Sequence, residues 1–298
     1  MNITKLVGVI GVAAVSAGYS GSPEAADYYG SGWYRDAGIG LYYDDNVSRA
    51  MNDSDIEEDF ISSFSAGMGY RKKIGNNQQL VYSASLQYEH YYNFDDLDNI
   101  GIAGRAVYTI QPDPGYSSPW YDFDLQIEKL EFNGSAIRDS VIVSAGISAG
   151  KRLGRNLAGN AGYYYTRRFA DGSVFDTGAH NLGITLDYQY SRKVSLYAGY
   201  SFKVGDSVST ATPNPGIYVV SKAVAPDDVF APGSGTECVN RRCAYRLDVV
   251  SHSFKAGMVF DLGSNFSFSL SSRYSRVYGD GDNYYYDLYH QAGFYIQF

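Results

Sequence analysis

The sequence has no apolar run of the roughly 18 residues that a membrane-spanning helix needs, so a helical membrane protein is excluded. Proline is scarce, 8 in 298 residues, which removes the main obstacle to long hydrogen-bonded strands. Only two cysteines occur, Cys238 and Cys243, not in C-x-x-C spacing, and no histidine lies near enough in sequence to complete a tetrahedral zinc site. No glycine-rich loop follows a strand and opens a helix, and the basic residues form no patch interleaved with aromatics. Nucleic acid is therefore not an expected partner, and no cofactor is expected. What is plentiful is tyrosine (30), phenylalanine (15) and glycine (33), under a net charge of −8. That mixture favours many strands joined by tight turns, an all-β class.

The first residues have the form of an export signal: Lys5 as the charged region, Leu6 to Val15 as a short apolar region, and the small-residue pattern Val15-Ser16-Ala17. The expected division is a signal peptide over 1–17, a short periplasmic segment over 18–31 and one β domain over 32–298. An exported chain meets an oxidising compartment. A small disulfide staple between Cys238 and Cys243 is then favoured over a metal pair or a redox dithiol.

From residue 32 onward one theme repeats: about ten residues alternating apolar or aromatic with small or polar, then a turn or polar loop. The clearest case is Tyr121 to Leu130, where Tyr121, Phe123, Leu125 and Ile127 alternate with Asp122, Asp124, Gln126 and Glu128, a pattern no helix could carry. The same reading places strands near Trp33–Tyr43, Phe60–Tyr70, Leu80–His90, Ile100–Ile110, Val141–Ala149, Leu157–Phe169, Leu182–Tyr190 and Val194–Val204. Three more lie near Val250–Leu262, Phe266–Tyr278 and Tyr284–Phe298. Turns after even-numbered strands are short, and those after odd-numbered strands are often longer and more polar, culminating in the stretch from Gly205 to Ala244. Short turns belong on the periplasmic side, so both ends of the domain fall there, as an even number of twelve strands requires. A soluble sandwich or lipocalin-like barrel would turn its apolar face inward. Here the opposite face is rich in Ser and Gly with charges (Ser267, Ser269, Ser271, Arg273), and Tyr crowds the strand ends like an interfacial girdle. The expected fold is a transmembrane antiparallel up-and-down β-barrel of about 12 strands.

The closing run YHQAGFYIQF, with Phe294, Ile296 and Phe298 on one face, resembles the C-terminal signal of Gram-negative outer-membrane proteins. That resemblance implies delivery by the barrel-assembly machinery into an outer membrane of lipid and lipopolysaccharide. A second stretch, GLYYDDNVSRA (Gly40–Ala50), resembles the opening of barrels associated with exopolysaccharide export and of surface-lipoprotein assembly modifiers. It implies no functional residue, and it supplies the alternative to a channel: an assembly or export accessory whose barrel anchors partner-binding loops.

Catalysis would need a nucleophile, base and orienting group together. All four histidines, His90, His180, His252 and His290, fall on the outward parity or just beyond strand ends, so an enzyme is not expected. The inward parity carries a candidate conducting lumen. Asp122, Asp124 and Glu128 line one strand, with Glu89 and Arg105 on neighbours, while Arg168, Lys203, Lys255 and Arg273 come from later strands roughly opposite. Opposed acidic and basic walls would set a field across a pore for small hydrophilic or charged solutes. The same charges could instead pair across the lumen and close it. The acidic runs NDSDIEED, NFDDLDN and GDGDN offer oxygen ligands suited to Ca²⁺ or Mg²⁺, although Asp, Asn and Gly also make ordinary turns.

Overall fold

A computed structural model describes residues 31–113, 115–230, 238, 242–263, 265–280 and 283–298. The expected signal peptide and most of the segment before the barrel lie outside the described residues. Among the described residues thirteen strands form: β1 (Gly32–Asp44), β2 (Asp59–Gly75), β3 (Gln78–Tyr91), β4 (Asn99–Ile110), β5 (Trp120–Phe132), β6 (Ser140–Arg152) and β7 (Leu157–Ala170). They continue with β8 (Thr177–Gln189), β9 (Val194–Ala211), a short β10 (Ala223–Pro226), β11 (Cys243–Asp261), β12 (Phe266–Gly279) and β13 (Tyr284–Gln297). Each long strand pairs antiparallel with the next, β1 pairs with β13, and β9 pairs directly with β11. Twelve strands therefore close on themselves and leave no edge in the wall, while β10 stands outside the ring.

The pleat alternates side chains across this wall, and the alternation is inverted relative to a soluble protein. Ile39, Phe64, Leu86, Ile102, Phe123, Leu125, Ile127, Ile184 and Phe294 lie exposed on the outer face, whereas Asp122, Ser148, Ser267, Ser269 and Asp287 are buried inside. An exposed apolar belt of this extent is unstable in water and stable in hydrocarbon. Each strand of the ring is hydrogen-bonded to a neighbour on both sides, which is what a spanning segment requires.

The interior is built from aromatic residues seated on glycines of the adjoining strand. Five pairs stand directly opposite in the register: Tyr34 with Gly69, Tyr295 with Gly38, Trp120 with Gly150, Tyr164 with Gly146, and Tyr197 with Gly257. A Cβ added at Gly146 would fall 2.1 Å from the Tyr164 ring, and one at Gly69 2.3 Å from the Tyr34 ring. Glycine is thus needed for close approach: each ring lies flat along the wall instead of projecting across the lumen.

One hairpin rises above the rest. β9 and β11 pair from Phe260↔Val194 to Cys243↔Ala211, yet β8 leaves β9 at Gly205 and β12 leaves β11 at Val249. The six pairs from Asp206↔Asp248 to Ala211↔Cys243 therefore project about 20 Å beyond their neighbours at the rise of a strand. Gly205, at φ +144°, sits where β8 ends, and a Cβ there would meet the Gly178 carbonyl at 2.3 Å. The stretch from Gly205 to Ala244, read from sequence as one long loop, is thus partly strand, with a helix α1 (Pro215–Val220) and β10 added. Its small apolar core holds Ala211, Ile217, Tyr245, Leu247 and Val249 on one face, and Val174, Phe175 and Ala244 on the other. Cys238 and Cys243 are joined by a disulfide that packs into the first of these clusters.

Candidate functional site

The charged residues expected inside the barrel do occupy the inward parity, but their pairing differs from two opposed walls. Arg105 is beside Asp124, not across from it: its Nε donates to both carboxylate oxygens at 3.1 and 3.0 Å, on adjoining strands. Asp122 accepts from Thr109 Oγ1 at 2.7 Å and from Ser148 Oγ at 3.3 Å. Glu128 accepts from Gln87 Nε2 at 2.7 Å, and Glu89 from Asn99 Nδ2 at 3.2 Å, so both carboxylates have neutral partners.

On the other side Lys203, Lys255 and Arg273 have no carboxylate partner among the described residues. The Lys255 ammonium stands over the Tyr197 ring at 5.6 Å and the Arg273 guanidinium over Tyr289 at 4.8 Å. Arg273 Nε finds no acceptor. Arg168 donates to Ser140 Oγ at 2.9 Å and to the Arg138 carbonyl at 2.7 Å, both uncharged. Among the described residues the barrel interior thus holds a lateral ion pair between Arg105 and Asp124, a second in which Arg49 bridges Asp44 and Asp287 at 2.6 and 3.2 Å, carboxylates on β3 and β5 hydrogen-bonded to amides, and cations on β7, β9, β11 and β12 outside any ion pair.

The extracellular end carries a network whose partners are too far apart in sequence to be paired by inspection. Arg138, between β5 and β6, donates from one terminal nitrogen to Asp227 at 3.0 and 2.8 Å and from the other to Asp228 at 2.7 Å. Its side chain is only 7% exposed and that of Asp227 0%, and the guanidinium lies 4.3 Å over the Phe175 ring. Asp227 also accepts from Thr210 Oγ1 at 2.7 Å and from the Val229 backbone at 3.0 Å. Phe94, between β3 and β4, meets Phe230 at 4.9 Å. Asp55, between β1 and β2, accepts from the Thr212 backbone and hydroxyl, while Arg242 pairs with Glu57 and donates to the Ser54 carbonyl. Lys222 donates to Asp206 and Asp248, which hold its ammonium above the ordinary lysine pKa.

The connection between β9 and β11 can reach the loops after β1, β3 and β5 only by crossing the mouth, because those strands are far around the ring. These contacts form a roof over the lumen. Much of the acidity of the first two outer loops is used within it or beside it: Asp98 accepts from Tyr88, the Tyr91 backbone and, at 2.8 Å, shares a hydrogen bond with His90. Among the described residues no cluster of three or more His, Cys, Asp or Glu could hold a metal ion. All four histidines sit on the outer parity, each hydrogen-bonded to a neighbouring side chain: His90 to Asp98, His180 to Tyr163, His252 to Tyr200 and His290 to Ser272. Phe294 and Phe298 are exposed on the outer face at the C-terminal end, and the Phe298 backbone exchanges hydrogen bonds with Arg35 at 2.8 and 2.9 Å.

Inverted packing, a sealed ring of twelve strands and short turns opposite a loop roof define a multi-pass barrel of the Gram-negative outer-membrane type. Comparison with solved structures agrees on the fold. The chain is similar to an outer-membrane channel from Pseudomonas putida F1, with a TM-score of 0.54 at 9% identity over 89% of this chain and 95% of that one. It also aligns with the NanC porin (TM-score 0.44, 8% identity, 88% and 98% covered) and with the translocator domain of the autotransporter NalP from Neisseria meningitidis (0.36, 12%, 92% and 91%). No protein-family model and no curated protein matches the chain in sequence.

Proposed function

We propose that this barrel is a passive channel for small hydrophilic or charged solutes, with its extracellular mouth narrowed by the roof. The observation that carries the reading is the separation of the lumenal charges. Among the described residues Lys203, Lys255 and Arg273 point inward without a carboxylate in ion-pair contact, and Glu89 and Glu128 accept hydrogen bonds from amides and not from cations. An unpaired charge in a dry interior costs several kcal/mol, so this arrangement favours a lumen with water around the side chains. The flat seating of Tyr34, Tyr164, Tyr197 and Tyr295 on glycines supports the same reading, because it keeps aromatic bulk against the wall and out of the axis.

Planar-bilayer recording tests the proposal. The protein should give steady openings, and neutralising Lys255 and Arg273 together should shift the reversal potential in a salt gradient toward cation selectivity. Neutralising Asp124 and Glu128 should move it the other way. A unit charge about 4 Å from a permeating ion is worth about 4 kcal/mol at an effective dielectric near 20, and salt should shrink both effects. A folded barrel without openings, in every variant, refutes the channel. The alternative, a non-conducting assembly or export accessory, draws support from the roof, whose packed loops offer an ordered platform to a partner; the same recording separates the two.

A further inference from the structure

Three cations face outward near the extracellular margin of the wall, each three residues before the end of its strand: Lys129 on β5, Arg167 on β7 and Arg276 on β12. Two are neutralised at the surface. Lys129 pairs with Glu131 at 2.6 Å, and Arg167 pairs with Asp176. Arg276 has no carboxylate partner among the described residues. Its guanidinium lies over two tyrosine rings instead, at 5.1 Å from Tyr278 and 5.9 Å from Tyr284. Directly opposite in the register stands His252, whose Nδ1 is 2.8 Å from the Tyr200 hydroxyl. If that hydroxyl donates, the imidazole Nε2 carries the proton and is a second donor beside Arg276.

These side chains line a groove of about 570 Å³ on the outer surface, with Tyr200, Phe254, Tyr274 and Tyr278. Below it Phe254, Met258, Leu270 and Tyr274 continue an exposed apolar track toward the middle of the bilayer. The combination is amphipathic in the sense a lipid is. A guanidinium and an imidazole occupy headgroup level, a cage of tyrosines surrounds them, and a hydrocarbon path leads down. An unpaired arginine in this position recruits an anion from its own surroundings, and guanidinium forks fit phosphate oxygens in particular.

We propose that the outer groove between β9, β11 and β12 is a binding site for the phosphorylated headgroup of an outer-leaflet lipid, with Arg276 and His252 as its phosphate donors. The acyl chains lie along Phe254 and Met258. The site is outside the lumen and does not depend on whether the lumen conducts.

The test uses the full barrel in phosphatidylcholine nanodiscs with or without diphosphoryl lipid A, bound lipid being measured by native mass spectrometry after extraction. Wild type should retain the phosphorylated lipid and release it when dephosphorylated lipid A replaces it, and inorganic phosphate at millimolar level should not displace it. Arg276→Gln should lower retention about tenfold or more, the scale of losing one charge-assisted contact, and Arg276→Lys should keep part of it. Heat-modifiable mobility on a detergent gel controls for folding, and Arg167→Gln, at an already paired cation, should leave retention unchanged. Equal retention by folded Arg276→Gln, equal retention of the dephosphorylated lipid, or displacement by inorganic phosphate alone would each overturn the proposal.

Discussion

Removing the Arg138 side chain should unlatch the roof. In the folded protein Asp227 is completely enclosed, and two of its hydrogen bonds come from this guanidinium. The others, from Thr210 and the backbone of residues 229 and 230, fix the turn that carries Phe230 onto Phe94. Arg138→Ala leaves a buried carboxylate with no cation, a defect worth about 3–5 kcal/mol when one partner of a buried pair is lost. The barrel wall does not depend on that pair, so the free energy is lost by the roof alone. A bias of that size multiplies the population with the 212–242 connection detached by roughly two orders of magnitude or more. Single-channel recording should show longer or larger openings in Arg138→Ala, and limited proteolysis of intact cells should cut within 212–242 where wild type resists. Asp227→Ala should act in the same direction but less strongly, because Arg138 keeps Asp228, and the double variant should be milder than the sum of the two, because the buried carboxylate is then gone. A folded Arg138→Ala barrel with wild-type openings and wild-type protease resistance would refute the latch.

Gly146→Ala should displace the Tyr164 ring, since the new Cβ would lie 2.1 Å from it, and lower the temperature at which the folded form disappears from unheated gels; unchanged heat stability would contradict the close seating. Thiol reagents added to intact cells should fail to label Cys238 and Cys243 until a reductant is added, and ready labelling without reductant would show that the disulfide does not form in the cell. Replacing Phe298 by Asp should reduce the yield of assembled barrel in the outer membrane, and an unchanged yield would remove the terminal phenylalanine from any delivery signal.

The wall was readable residue by residue because period-two patterning is a local property. Tyr121, Phe123, Leu125 and Ile127 alternate with Asp122, Asp124, Gln126 and Glu128 before any partner strand is known, and the exposure of the first set follows. The cysteine pair was readable too, since a separation of five residues leaves little choice of partner. The roof was not. Arg138 and Asp227 are 89 residues apart, and their meeting depends on a connection that crosses the mouth. Nor could parity alone place Arg105 against Asp124, because the register between neighbouring strands is set by turn geometry and not by the alternation itself. The projecting part of β9 and β11 escaped for a related reason. Its sequence includes Ser, Thr, Asp and Arg on faces that meet loops instead of lipid, so the apolar alternation that marks the wall fades above Gly205.

The seating of rings on glycines bears on how such a barrel reaches the correct pairing at all. A slip of one residue between β1 and β2 would swing Tyr34 to the other face, and a slip of two would bring it opposite Gly67 or Arg71 in place of Gly69. Between β6 and β7 a two-residue slip would set Tyr164 against Ser144 or Ser148, where a side chain already fills the space. Of the five fittings, the three on β5–β6, β6–β7 and β9–β11 find a glycine at one offset only, since two-residue slips there meet Ser148 or Arg152, Ser144 or Ser148, and Lys255 or Val259. The two that flank β1 are looser, because a two-residue slip in one direction sets Tyr34 against Gly67 and Tyr295 against Gly40. The strictest policing of register therefore falls away from the β1 seam: on β5–β6, β6–β7 and β9–β11 a slipped ring finds no glycine and stands out into the lumen.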